Sequence, residues 1–255
     1  MLPEPLFLSV HMYGIMVAVG ILCTFLVLFI YSSKKKVDSK FTDFVFYDGI
    51  VAIIVGFGVA AFFQALYNYI EDPSKGFRFN GSITVMGGLV GGIGSFVLVY
   101  FIFRRFYKVR LYQVVSIYPP CIIIAHAFGR VGCFFAGCCE GKPTDSFLGV
   151  KFPHLSVPVH PTQLYEAAFL FILFAVCSYL LLAKDFKHNL SLYLISYGIF
   201  RFFIEFLRDD KRGEFVGNIS PSQFWSILFV AAGVIMIFVL NYFHSKESIN
   251  STKEE

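Results

Sequence analysis

Charge is what this sequence has least of. Only 15% of its 255 residues are Asp, Glu, Lys or Arg, where a soluble domain carries roughly a quarter. That shortage excludes an ordinary soluble globule of this length. The net charge of +4 is small and dispersed, which excludes the concentrated basic face of a nucleic-acid-binding protein. A basic leader is missing as well: Glu4 is the only charge ahead of the first apolar run, so no cleavable signal peptide is expected. Cys133, Cys138 and Cys139 lack the regular Cys/His pairing of a common zinc site. No metal ion and no cofactor is therefore expected.

What the chain has is apolar surface. Hydrophobic residues make up 57%, Phe alone supplies 33, and the mean hydropathy is +0.70. A helix needs about 20 apolar residues to cross the hydrocarbon core of a bilayer. Seven runs are long enough: Ser9–Tyr31, Phe44–Ile70, Ile83–Phe103, Tyr112–Phe128, Gln163–Ala183, Leu190–Leu207 and Ser222–Phe243. The expected fold is an all-α integral membrane protein of seven transmembrane helices. Pro119-Pro120 interrupts the fourth run, and proline breaks a helix interior unless neighbours rescue the freed carbonyls. Residues 1–244 read as one seven-span domain. Residues 129–162 read as a loop region without a span, rich enough in Pro and Phe to form an ordered extracytoplasmic cap. Residues 245–255 read as a polar, irregular cytoplasmic tail.

Lysine and arginine in the connections give the orientation. One set holds Lys34, Lys35, Lys36, Lys40, Arg104, Arg105, Lys108, Arg110, Lys184, Lys187, Lys246 and Lys253. The other holds Lys75, Arg78, Arg130, Lys142, Lys151, Arg208, Lys211 and Arg212. With the larger set cytoplasmic, the N-terminus lies outside and the C-terminus inside. The polar residues of the spans then gather toward the outer leaflet: His11 and Tyr13, Gln64 and Asn68, Met86-Gly87-Gly88, His126 and Arg130, His160 to Glu166, and Tyr197 to Arg208.

An arginine at membrane depth costs roughly 2.5–3.5 kcal/mol on insertion scales and normally has a partner or a ligand. Arg201, Glu205 and Arg208 are spaced i, i+4, i+7 and share a helix face. They read either as a self-satisfied ion triad or as a cationic clamp in which Glu205 orients one arginine. Two arginines and one glutamate leave a positive surplus for an anionic headgroup, and Arg130 adds to it. Gly87, Gly88, Gly91, Gly92 and Gly94 have the small-xxx-small spacing of close helix packing, while Gly87 and Gly88 at headgroup depth also allow lipid to approach the backbone. Cys133, Cys138 and Cys139 read as small lining residues, a disulfide with one thiol left over, or a thiolate beside Arg130. Glu166 is a helix-start stabiliser or a catalytic or clamping group.

Six motifs in order resemble the bacterial prolipoprotein diacylglyceryl transferase family: His11-Met-Tyr13-Gly14, Gly87-Gly88-Leu-Val-Gly91-Gly92, Gly129-Arg130-Val-Gly132-Cys133-Phe, Gly141-Lys-Pro143-Thr144, His160-Pro161-Thr-Gln163-Leu-Tyr165-Glu166 and Tyr197-Gly198-Ile-Phe-Arg201-Phe-Phe-Ile-Glu205-Phe. The resemblance implies a multi-pass enzyme of the bacterial cytoplasmic (inner) membrane. It would move the diacylglyceryl group of phosphatidylglycerol onto the lipobox cysteine of a prolipoprotein signal peptide, releasing glycerol phosphate. It implies that the Arg130 position binds the headgroup and that the Arg201 position is essential. Tyr13, His11 and Glu166 join them as candidate catalytic residues. Gly87, Gly88, Cys133, Gly141, His160, Gln163, Tyr197, Glu205 and Arg208 join Arg130 as candidate lipid-binding residues. Four polar family positions are less polar here: Met86 replaces a histidine, Cys133 an asparagine, and Cys138 and Ser116 acidic residues. With that histidine gone, deprotonation of the acceptor falls to Glu166, His11 or a solvent base. A paralogue acting on another acceptor, and a non-catalytic lipid-binding membrane protein, are the alternatives.

Overall fold

The structure is a computed structural model and describes residues 11–79, 84–107, 111–209 and 219–251. Lys108, Arg110, Lys211, Arg212 and Lys253 of the orientation argument lie outside these residues, as do the side chains of Lys75 and Met86. The described chain is helical: α1 (Met12–Lys34), α2 (Ser39–Glu71), α3 (Val85–Phe103), α4 (Leu111–Val114), α5 (Tyr118–Ala136), α6 (Thr162–Lys184), α7 (Asn189–Ile204) and α8 (Pro221–Ser251). Seven of them, all but the single turn α4, are long and apolar enough to span a membrane. Helices suit that setting because every backbone N–H and C=O is satisfied within the segment.

The chain divides into two compact units. Residues 36–110 form one and contain α2 and α3; the rest of the chain forms the other. In the smaller unit, glycines let the two helices meet backbone to backbone. A Cβ on Gly87 would stand 3.1 Å from Ala60 Cα, and one on Gly91 would stand 2.6 Å from Val59 Cβ.

In the larger unit, α1 packs on α5, α5 on α6, α6 on α7 and α7 on α8, with α5 also touching α7. Its core is Ile123, Ala127, Leu170, Leu173, Cys177 and Tyr197. Thr24 on α1 donates to Cys121 O at 2.8 Å. Near that point Gly20 lies so close to α5 that a Cβ would meet Ala125 O at 3.1 Å.

The fourth span is where sequence reading and structure part. The expected run Tyr112–Phe128 is instead the turn α4 followed by α5, which extends to Ala136. Pro119 and Pro120 fall in the first turn of α5, where no backbone N–H is needed and the fixed φ suits the helix. The prolines thus start a helix rather than break one. Arg130, Gly132 and Cys133 are consequently helical residues. The helix stops at Gly137, whose φ of +67° is left-handed; Gly137 and Cys138 direct their N–H groups back to Phe134 O and Cys133 O at 3.1 and 3.2 Å. This is the closure glycine makes cheap.

Beyond Gly137 the chain forms a hydrogen-bonded cap. Val150 and Val159 exchange both backbone bonds at 3.0 Å, Gly141 N donates to His160 O at 2.8 Å, and Lys142 N donates to Leu207 O at 2.7 Å. The expectation of an ordered region matches this, though the non-helical part begins eight residues later than expected. At the other end of the chain, α8 continues to Ser251, so residues 245–251 are helical where an irregular tail was expected. Asp185 closes α6 in a left-handed conformation with φ +52°. Its carboxylate accepts from Lys35 Nζ at 2.7 Å, and that bond holds its pKa below the ordinary carboxylate value.

Candidate active site

Glu166, in the second turn of α6, is fully buried. Three groups from two other helices converge on its Oε1. Arg130 Nε of α5 lies at 2.9 Å, Tyr197 OH of α7 donates at 2.7 Å, and His126 Nε2 of α5 lies at 3.6 Å. His126 and Arg130 are one helical turn apart and so share a face. The His126 ring stands edge-on to Tyr197 at 4.8 Å between centroids, and its Nδ1 is 3.2 Å from Tyr193 OH. Glu166 Oε2 has no hydrogen-bond partner among the described residues. A buried carboxylate of this kind is stable only while its countercharge stays in place.

A second ionic cluster follows along α7. Arg201 Nη1 is 2.7 Å from Glu205 Oε2, and Arg208 Nε is 3.8 Å from the same oxygen. The helical spacing read from the sequence holds only for the first pair. After Ile204 the chain tightens into a 3₁₀ turn, Glu205–Leu207, and Arg208 is extended. Arg208 therefore lies past the helix, bridged to Gly141 of the cap. Polar residues entering α8 complete the cluster: Ser222 Oγ accepts from Arg201 Nη2 at 2.9 Å and Ser220 Oγ donates to Glu205 Oε1 at 2.9 Å. Arg201 also contributes to the electrostatic field at Glu166, which ties the two clusters together. Three guanidinium groups face two carboxylates, so the centre carries one surplus positive charge.

The helix start at Thr162 braces the cap against this centre. Thr162 Oγ1 donates to Cys139 O at 2.7 Å and Gln163 Nε2 to Cys138 O; both side chains are fully buried. Held in this way, Cys138 and Cys139 curl back toward Cys133 on α5. The three Sγ atoms all lie within 4.8 Å of one another, with Cys139 and Cys138 3.7 Å apart. The Cys139 thiol donates to Cys138 Sγ, and the Cys138 thiol donates to Cys133 O at 3.6 Å. All three are free thiols. Spacing alone gave no sign of this convergence, because the left-handed turns at Gly137 and Cys139 (both φ +67°) create it.

Of the residues singled out from the sequence, Arg130, Glu166, Tyr197, Arg201, Glu205 and Arg208 come together. Tyr13 on α1 lies near them: its ring is the closest neighbour of Gly132, 3.1 Å from where a Cβ would stand. His11, the residue preceding α1, is exposed. Gly141, His160 and Gln163 serve the cap. A Cβ on Gly141 would stand 2.5 Å from Leu207 O, and His160 Nδ1 pairs with Tyr165 OH at 3.2 Å. Gly87 and Gly88 belong to the α2–α3 unit and pack on α2. Sequence reasoning missed Ser220 and Ser222. A signal was available, since Pro221-Ser222-Gln223 opens the last span just as Pro161-Thr162-Gln163 opens the fifth. Ser116, one of the departures from the family pattern, lies in the turn before α5, where its carbonyl accepts from Asn189 Nδ2 at 3.2 Å.

Fold and site together define a polytopic membrane protein with a cationic, carboxylate-braced centre inside a helical bundle. The chain belongs to the prolipoprotein diacylglyceryl transferase family, whose profile matches residues 4–239. It is 33% identical over 240 residues to the phosphatidylglycerol–prolipoprotein diacylglyceryl transferase of Clostridium tetani, covering 92% of this chain and 93% of that one. A second such transferase, from Clostridium perfringens, is 33% identical over 244 residues and 92% of each chain. The Staphylococcus aureus enzyme is 32% identical over 247 residues, covering 90% of this chain and 85% of its own.

Proposed function

We propose that this protein transfers the diacylglyceryl group of phosphatidylglycerol to the lipobox cysteine thiol of a prolipoprotein signal peptide. The thiolate sulfur attacks the glycerol carbon bearing the phosphate, a C–S bond forms, the C–O bond breaks, and glycerol phosphate leaves. The thiol proton passes to Glu166 or to solvent. The observation that carries this reading is the charge balance of the centre, three arginines against two carboxylates, which one phosphodiester neutralises. Preorganised cations of this kind stabilise the negative charge that grows on a departing phosphate. Arg130 and Arg201 hold the phosphate in this scheme, and Glu166 and Tyr197 aim Arg130.

The scheme carries a topology: N-terminus outside, cap and arginine centre toward the outer leaflet of the bacterial cytoplasmic membrane, C-terminus inside. An apolar groove of about 310 Å³ between α7 and α8, lined by Gly198, Phe202, Phe203, Ile227 and Val230, has the character needed for an acyl chain. The test is glycerol phosphate release by membranes holding this chain, given phosphatidylglycerol and a lipobox peptide. Release above vector control that needs both substrates is expected. Release without the peptide would point to another acceptor. No release, with the protein folded and present, would refute the proposal.

A further inference from the structure

We propose that Cys133, Cys138 and Cys139 form a three-thiolate site for one thiophilic d10 cation of the Zn²⁺ class, with the fourth coordination position open to a thiol. Three observations converge on it. First, the geometry is close to that of a bound ion: a Zn–S bond of about 2.3 Å in a tetrahedron puts sulfurs about 3.8 Å apart. Here one pair already stands at 3.7 Å and all three sulfurs lie within 4.8 Å, so less than about 1 Å of side-chain adjustment closes the set.

Second, the segment is braced by bonds from Thr162 and Gln163 to the carbonyls of Cys139 and Cys138. Third, Cys139 adopts a left-handed φ of +67°, a conformation that costs a side-chain-bearing residue energy and that often marks a functional site. Its effect here is to turn the thiol toward Cys133.

The open position matters if the proposed transfer is correct, and this part of the inference rests on that reading. A metal ion deprotonates a coordinated thiol outright, which would supply the acceptor thiolate. The S–H bond breaks, the metal–sulfur bond forms and the proton goes to solvent.

The experiment uses the full chain, reduced and metal-free, in phosphatidylcholine nanodiscs, titrated with Cd²⁺ while the thiolate-to-metal charge-transfer absorption is read. One equivalent per chain is expected. Cys138→Ser, an exposed position, should weaken binding beyond the roughly 10- to 100-fold typical of supporting contacts around a metal. Joint replacement of Cys23, Cys121 and Cys177 by Ser should leave the band intact. Absence of the band, or its persistence in the Cys133/Cys138/Cys139→Ser variant, would overturn the site. Adding a cysteine-containing lipobox peptide should raise the band by about a third, three sulfurs becoming four, and its serine analogue should not. No rise overturns the thiol as fourth ligand, whereas failure of the transfer reaction itself is read separately from glycerol phosphate release.

Discussion

Replacing Glu166 by Gln tests whether the carboxylate acts by holding Arg130. The substitution keeps size and one acceptor oxygen but removes the charge that Arg130 Nε meets at 2.9 Å and the strong acceptor that Tyr197 OH meets at 2.7 Å. A hydrogen bond to a charged group contributes about 1.5–3 kcal/mol. At about 1.4 kcal/mol per tenfold in rate, losing one such restraint on Arg130 predicts a fall of about 10- to 140-fold in kcat/KM for glycerol phosphate release. Stability supplies an independent reading. Removing one member of a buried ion pair costs about 3–5 kcal/mol because the other charge is stranded. Glu166→Gln and Arg130→Gln should each lower the melting temperature in detergent. The double variant, with no charge left unpaired, should recover much of that loss while remaining inactive. Two results would refute the reasoning: activity within about threefold of wild type for Glu166→Gln, or additive stability losses in the double variant. A loss of kcat accompanied by a displaced acidic limb of the pH profile would instead assign Glu166 to proton transfer.

Three further outcomes follow from the geometry. Gly141→Ala puts a methyl 2.5 Å from Leu207 O and 2.8 Å from Thr162 Cγ2, so overpacking of about 1–3 kcal/mol is expected; Gly129→Ala, with nothing within 4 Å, should melt within about 0.5 kcal/mol of wild type. Ser222→Ala removes a bond to Arg201 while leaving the Glu205 contact, and should lower kcat/KM by about two- to tenfold. Asp185→Asn should change stability by no more than about 1 kcal/mol, since Lys35–Asp185 is an exposed pair and Asn accepts the left-handed conformation. The Asp185 carboxyl titrates lower when folded. Its small contribution is therefore present above the unfolded carboxylate pKa and is lost as pH falls through the folded value, which a melting series at pH 3–7 would read.

The seven spans were legible because each is a long apolar run, and length is the property a bilayer selects. The start of α5 was not, since Pro119-Pro120 reads alike as a breaker or a first turn, and only the packing of the following residues decides. Arg130, Glu166, Arg201 and Glu205 could be found because charge at membrane depth demands a partner, and Tyr197 through the resemblance. Which partner could not: Glu205 was visible one turn from Arg201, but the Arg130–Glu166 pair links α5 to α6 across 36 positions of sequence. His126 was visible as one of the polar residues gathered toward one leaflet, and Ser220 and Ser222, at the start of the last span, carried no expectation. The sulfur cluster was hidden most deeply, because it depends on two backbone torsions rather than on spacing.

The continuation of α5 through Arg130 to Gly137 has a mechanical consequence. The backbone that carries Arg130 is an unbroken, packed helix, so the guanidinium can move only by turning about its own side-chain bonds. The cap is closed differently, by the few backbone bonds that latch residues 141–160 to themselves and to Leu207. Unfastening that latch is a far smaller rearrangement than unwinding a helix.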